Sequence, residues 1–168
     1  YAAWVDHRLG TAHLFFDRQP AGGNWGTDEE IEDGAGTFRG RPRIAVDAVG
    51  NSYLIWYNNW LWNNDVFFAY RPAAGGWTPA VRVNDDMTAE PQQSPDIAVT
   101  ADGDAYAVWT DYRSGGTEFY FAHRPAGGAW GPNQRVYTIG DVGAHEAAIA
   151  VDAAGTAYVA WDAGWPTF

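Results

Sequence analysis

Cysteine and lysine are both absent from the 168 residues, and all ten basic side chains are arginine. Without cysteine there is no disulfide framework, no thiol nucleophile and no Cys-based zinc site, so stability must come from packing. Without lysine there is no Schiff base, no P-loop lysine and no lysine general base. Basic charge is scarce in general: 21 acidic against 10 basic residues give a formal charge of −11. A field of that sign repels phosphate backbones and anionic bilayers, which argues against nucleic acid and membrane surfaces as partners. No apolar run approaches the roughly 18 residues that span a bilayer, and no charged start followed by an apolar core marks a signal peptide. The first residue is Tyr1 rather than Met, so the expectation is a processed product, an excised fragment or part of something longer. What is abundant is ten Trp and 20 Gly, a composition suited to β-sheet with tight turns.

The chain repeats itself. Ile44-Ala45-Val46-Asp47, Ile97-Ala98-Val99-Thr100 and Ile149-Ala150-Val151-Asp152 recur at intervals of 53 and 52 residues. Tyr1, Tyr53, Tyr106 and Tyr158 keep the same phase, each followed three residues later by Trp4, Trp56, Trp109 and Trp161. A third mark is Pro20-Ala21-Gly22-Gly23-Asn24-Trp25, matched at Pro72 to Trp77 and Pro125 to Trp130. Each period reads as four short strands. The first is a small-and-branched apolar run such as Arg43 to Asp47, suited to burial on both faces. A turn with glycine at Gly50, Gly103 or Gly155 leads to a second strand, Ser52 to Tyr57, carrying the phased Tyr and Trp. The third is aromatic: His13 to Asp17, Val66 to Tyr70, Glu118 to His123. The Pro-Ala-Gly-Gly hairpin then opens a fourth strand, expected to begin at the phased Trp and end near Val83 or Tyr137. No stretch shows helical periodicity.

A period of about 52 residues with four strands is what one propeller blade needs. The fold class expected is therefore all-β: a β-propeller with about three four-stranded blades and an extra strand pair, part of a six-bladed ring. Its segments are a partial blade over 1–41, blades over 42–94 and 95–147, and a partial blade over 148–168. Three blades do not close a ring, so the remaining blades come from a longer chain or a second copy, the longer chain being preferred. The seven phased Trp are expected to form the layers between blades.

At the level of the repeat, the sequence resembles the sialidase-like propellers with BNR, or Asp-box, repeats. The matching stretches are Pro42 to Asp47 with Gly50 and Tyr53 to Trp56, then Phe67 to Asp85, and Pro95 through Val136. It departs from that pattern at the hairpin, where Arg-Pro-Ala-Gly-Gly replaces the Asp-box and its Asp is missing. By this resemblance, the face carrying the loops from strand two to three, and from strand four to the next strand one, holds the ligand site. A sialidase-like site implies an Arg cluster, a Tyr paired with Glu, and an Asp acid. Arg41 is the arginine the repeat does not account for, and no Tyr–Glu pair can be assigned.

Four residues after each phased Trp stand Arg8, Trp60, Arg113 and Trp165; two residues after it stand Asp6, Asn58, Asp111 and Ala163. Such alternation of Asp-x-Arg with Asn-x-Trp suits recognition loops. Trp60, Trp62 and Trp165 are the three Trp outside the phased set, and an exposed Trp beside Asp, Asn and Arg suits a sugar. The candidate ligand-binding residues are thus Asp6, Arg8, Arg41, Asn58, Trp60, Trp62, Asp111, Arg113 and Trp165, with plugging of a propeller end as the alternative role of the tryptophans. The second loop set is acidic, at Asp28 to Asp33, Asn84 to Glu90 and Gly140 to Glu146. Clustered carboxylates offer oxygen ligands for Ca²⁺, but EF-hand spacing is lacking, so a solvated rim and no cofactor are expected. His7, His13, His123 and His145 form no HExxH spacing, and no catalytic residue is assigned. The reading is a secreted or cell-surface propeller that binds a glycan, with two alternatives: a fragment of a sialidase-like hydrolase, or an interaction propeller whose ligand is protein.

Overall fold

The computed structural model describes residues 1–31, 38–60, 63–138 and 146–162. Strands β1 (Ala2–Asp6), β2 (His13–Asp17) and β3 (Glu29–Ile31) form a three-stranded sheet. A four-stranded sheet follows, of β4 (Phe38–Val46), β5 (Ser52–Trp60), β6 (Asn63–Arg71) and β7 (Val81–Arg82). A second one contains β8 (Gln92–Val99), β9 (Ala105–Asp111), β10 (Glu118–Arg124) and β11 (Gln134–Thr138). Strands β12 (Ala147–Val151) and β13 (Ala157–Trp161) form a two-stranded sheet among the described residues. Every pairing is antiparallel between consecutive strands, and there is no helix among the described residues.

The expected turns close the first hairpins: Gly50, Gly103 and Gly155 have φ of 89°, 94° and 82°. The residue opening each turn fixes it. Asp47 accepts the N–H groups of Val49 and Asn51 at 3.1 and 2.9 Å on one oxygen, and the Tyr53 hydroxyl at 3.0 Å on the other. Asp152 does the same with Ala154, Thr156 and Tyr158. In the sheet between them Thr100 substitutes, its hydroxyl accepting the Asp104 N–H at 3.1 Å. In the Pro-Ala-Gly-Gly turns Gly22 and Gly127 have positive φ, whereas Ala74 at the equivalent place does not. The same turn position is thus built in two ways according to whether a Cβ is present.

Strand alternation explains the burial on both faces. On β5, Leu54 and Trp56 join Leu14 and Phe16 of the preceding sheet, while Tyr53 and Ile55 join Ile97 and Trp109 of the following one. Ile149 repeats the rule against Val108 and Phe119. The hairpin tryptophans reach back likewise: Trp77 meets Phe16 edge-on at 5.1 Å and Trp130 meets Phe68 at 5.2 Å. Trp161 lies against Phe119 and Tyr137, so five of the seven phased Trp pack between sheets. Trp4 stacks on Phe15 of its own sheet, and Trp25 is 52% exposed.

Two extents differ from expectation. The fourth strands start at Glu29, Val81 and Gln134, after the phased Trp rather than at it. After the turn the Trp points toward the preceding sheet, and a single backbone bond follows it, Thr78 N–H to Tyr70 or Gly131 N–H to His123. The first strands start earlier, at Phe38 and Gln92, because each continues across a bulge described below.

The turn carboxylates give stability a pH dependence. Burial works against the charge of Asp47, but hydrogen bonds from Asn51, Tyr53 and Val49 outweigh it and hold the carboxyl below its usual 3.8. Asp152 is held low by the Thr156 N–H and the Tyr158 hydroxyl. Burial and the bond to Asp47 push the Tyr53 phenol well above 10.0, and the bond to Asp152 raises Tyr158. A lowered carboxyl stabilises above the unfolded value and loses that contribution as pH falls; a raised phenol stabilises below its unfolded value and loses it as pH rises. The urea midpoint should therefore be flat from about pH 5 to 9, then fall below about pH 4 and above about pH 10. A midpoint unchanged at pH 2.5 would contradict this.

Candidate functional site

The pairings Phe38↔Asn59, Gln92↔Asp111 and Ala147↔Trp161 place the ends of the second strands beside the starts of the first strands. The loops from strand two to three therefore share one end of the sheets with the inner-strand starts.

At that end the Asp-x-Arg pairs are tied into their own sheets. Asp111 has a fully buried side chain and accepts the Trp109 indole N–H at 2.9 Å, the Arg113 backbone N–H at 2.9 Å and the Arg113 guanidinium at 2.7 Å. Arg113 lies 4.0 Å over the Tyr120 ring and continues to Asp85 at 3.0 Å. Burial opposes the Arg113 charge, but its bonds to Asp111 and Asp85 outweigh this and raise its pKa. Asp6 and Arg8 repeat the arrangement with Trp4, Phe15 and Asp28, more openly. The hydrogen bonds from Arg8 bring Asp6 down to about 2. Each motif thus joins the indole, the third-strand aromatic and the acidic loop. Asn58 is buried in β5, where the hairpin extends to the pair Trp60↔Asn63. Trp62 and Trp165 lie outside the described residues, as do 32–33 and 140–145 of the acidic loops.

The acidic loop between β7 and β8 is held by protein donors. Asp85 exchanges backbone and side-chain bonds with Asn133, and Asp86 accepts from Thr88 and Gln92. Burial acts against the charge of Asp85, but Asn133 and Arg113 hold its pKa below 3.8. Among the described residues no three Asp, Glu or His side chains gather into a cation site.

The inner strands carry a repeated irregularity. β4 bulges between Gly40 and Arg43, β8 between Gln93 and Asp96, and each bulge holds a non-glycine residue at positive φ: Arg41 at 48° and Ser94 at 52°. Both precede a proline, Pro42 and Pro95, which has no N–H for the ladder and is at home in a bulge. In β12 the residue in place of the proline is Ala147, and the register runs without a break. A left-handed Arg or Ser costs on the order of 1–2 kcal/mol, and such strain concentrates at functional sites.

Between β4, β8 and β12 these bulges border a cleft of about 450 Å³ that includes Arg41, Arg43, Asp96, Glu146, Trp161 and Asp162. Arg41 pairs with Glu146, and Arg43 stands 3.7 Å from Asp96. The other Asp96 oxygen accepts the Ile149 N–H at 2.9 Å, tying adjacent sheets together. Trp161 is 39% exposed. Of the candidate ligand-binding residues that are described, Arg41 lines this cleft. Asp96, Asp162 and Trp161 were missed, and so was the role of Arg43 and Glu146. A usable signal existed: the residue before each phased Ile reads Arg43, Asp96 and Ala148, charged in two of three repeats where the run is otherwise apolar.

Antiparallel four-stranded sheets in sequence order, packed face to face with their first strands side by side, define an all-β fold of the propeller type. No protein-family profile matches the chain, and no curated protein matches it either. Among solved structures it is similar to a thermostable family-43 glycoside hydrolase, with a TM-score of 0.51 and 12% identity over 97% of this chain. The chain spans 65% of the length of that structure. At such identity the likeness shows the fold.

Proposed function

We propose that the chain is part of a carbohydrate-binding propeller and that it takes a glycan in the cleft between the inner strands. The observation carrying this is a half-exposed Trp161 ring beside two arginines and three carboxylates, at two strained bulges. A sugar ring needs an apolar surface for its C–H face and both donors and acceptors for its hydroxyls. In this reading Trp60, Trp62 and Trp165 add aromatic contacts to the glycan, while Asp6, Arg8, Asp111 and Arg113 hold the rim in shape. The similar structure carries a glycoside hydrolase's name, which supports a carbohydrate-related role. In this reading the protein is secreted or displayed at the cell surface, and further blades come from a longer chain or a second copy. A glycan array tests it. Arg43→Ala and Trp161→Ala should each weaken any captured glycan at least tenfold. An array without a binder, or equal binding by both variants, would overturn it.

A second reading is a hydrolase whose remaining groups lie on other blades. Two carboxylates in one cleft, Asp96 and Glu146, favour it, since glycoside hydrolysis uses an acid and a base or nucleophile. The sialidase-like kinship suggested by the repeat would then make Arg41 the contact for a substrate carboxylate. Turnover of aryl glycosides or a sialoside, lost at least a hundredfold in Glu146→Gln, would support it; a panel without turnover would reject it.

A further inference from the structure

Arg71 and Arg124 hold the same place in consecutive repeats, 53 residues apart, at the outer junction between sheets. Each lays its guanidinium over an aromatic ring of the preceding sheet: Arg71 at 5.4 Å from Phe16, Arg124 at 5.2 Å from Phe68. Each leaves Nη1 buried without a hydrogen bond, so the two are posed alike. They differ in what meets the remaining edge. Arg71 grips Glu29 through Nε at 3.2 Å and Nη2 at 2.9 Å, a two-point carboxylate clamp. Glu29 stands opposite Phe16 in the ladder, and the residue opposite Phe68 is Val81. Arg124 therefore has the pose of Arg71 without its carboxylate: among the described residues no carboxylate pairs with its guanidinium, which lies by the Phe68 and Tyr70 rings.

The space where that carboxylate would sit is a cavity of about 560 Å³, lined by Phe68, Tyr70, Thr78, Arg82, Arg124 and Trp130. It holds one more donor: the Thr78 hydroxyl oxygen accepts the Tyr70 N–H at 3.0 Å, leaving its proton to give. We propose that this cavity is a binding site for an acidic sugar. The uronate carboxylate takes the Nε–Nη2 edge of Arg124, as Glu29 does on Arg71. The ring's C–H face lies along Trp130 and Tyr70, and a sugar hydroxyl accepts from Thr78. The site lies apart from the inner-strand cleft and does not depend on it.

The repeat supplies its own controls. The chain would be titrated by calorimetry with a short oligogalacturonide in about 0.15 M salt, where the protein's negative field is screened beyond roughly 8 Å. One site per chain is expected. Val81→Glu, at an exposed position, rebuilds the internal clamp and should weaken binding at least tenfold with the fold intact; Arg124→Gln should do the same. Glu29→Val frees Arg71 and should raise the stoichiometry toward two. The methyl-esterified oligomer and a Glu-rich peptide should bind at least tenfold more weakly. No uronate binding, or equal binding by Val81→Glu, would overturn the site. Equal binding of the ester would overturn the carboxylate contact, and equal binding of the peptide would overturn the sugar assignment.

Discussion

Trp109→Ala is expected to destabilise the protein by about 3–5 kcal/mol, the range for removing a fully buried large aromatic. Trp109 is completely buried between two sheets, packed with Ile55, Val66, Phe68 and Ile97. It also donates its indole N–H to Asp111 at 2.9 Å, so alanine leaves both a cavity and a buried carboxylate short of a donor. Against a total of about 5–15 kcal/mol, this alone unfolds a marginal domain. Trp25→Ala, in the same repeat family but 52% exposed, should change stability by no more than about 0.5 kcal/mol. Urea denaturation of both variants checks the pair. Similar losses would mean that the phased tryptophans do not act through burial between sheets.

Gly103→Ala is the second large effect, and three glycines separate its causes. Gly103 has φ of 94°, and a Cβ there would stand 2.6 Å from the Tyr53 hydroxyl. That hydroxyl cannot swing away at low cost, because Tyr53 is buried in the preceding sheet and bonded to Asp47. Gly115 has φ of 86° with open space around it, and Gly76 has neither positive φ nor a near neighbour. The expected losses are about 2–4 kcal/mol for Gly103→Ala, about 1 for Gly115→Ala and about 0 for Gly76→Ala, following left-handed strain with and without a steric term. Tyr53→Phe combined with Gly103→Ala should cost less than the sum of the single variants, since the clashing atom is gone. Additive losses would show that the close approach carries no energy.

The repeat made much of this fold legible. Three phase marks located the strands, the glycine turns and the tryptophan layers, because each depends on neighbours close in sequence or one period away. The site was less legible, for physical reasons. Asp-x-Arg looked like a variable recognition column, yet Arg8 and Arg113 fold back on Phe15 and Tyr120 and reach Asp28 and Asp85, partners that no local pattern reveals. The bulges at Arg41 and Ser94 follow from a following proline, but their effect, opening a cleft toward Glu146 and Trp161, depends on how three sheets meet. Arg124 illustrates the same limit. Its sequence context matches Arg71, and only the ladder shows that Val81 has replaced the carboxylate.

A glycan seated between the bulged inner strands would be visible directly. The most direct measurement is a crystal structure of the protein soaked with whichever oligosaccharide a glycan array identifies. A sugar ring is expected against Trp161, hydrogen-bonded to Arg43 or Arg41 and to at least one of Asp96, Glu146 and Asp162. A sugar bound wholly on the loops around Arg8 and Arg113, with the inner-strand cleft vacant, would contradict it.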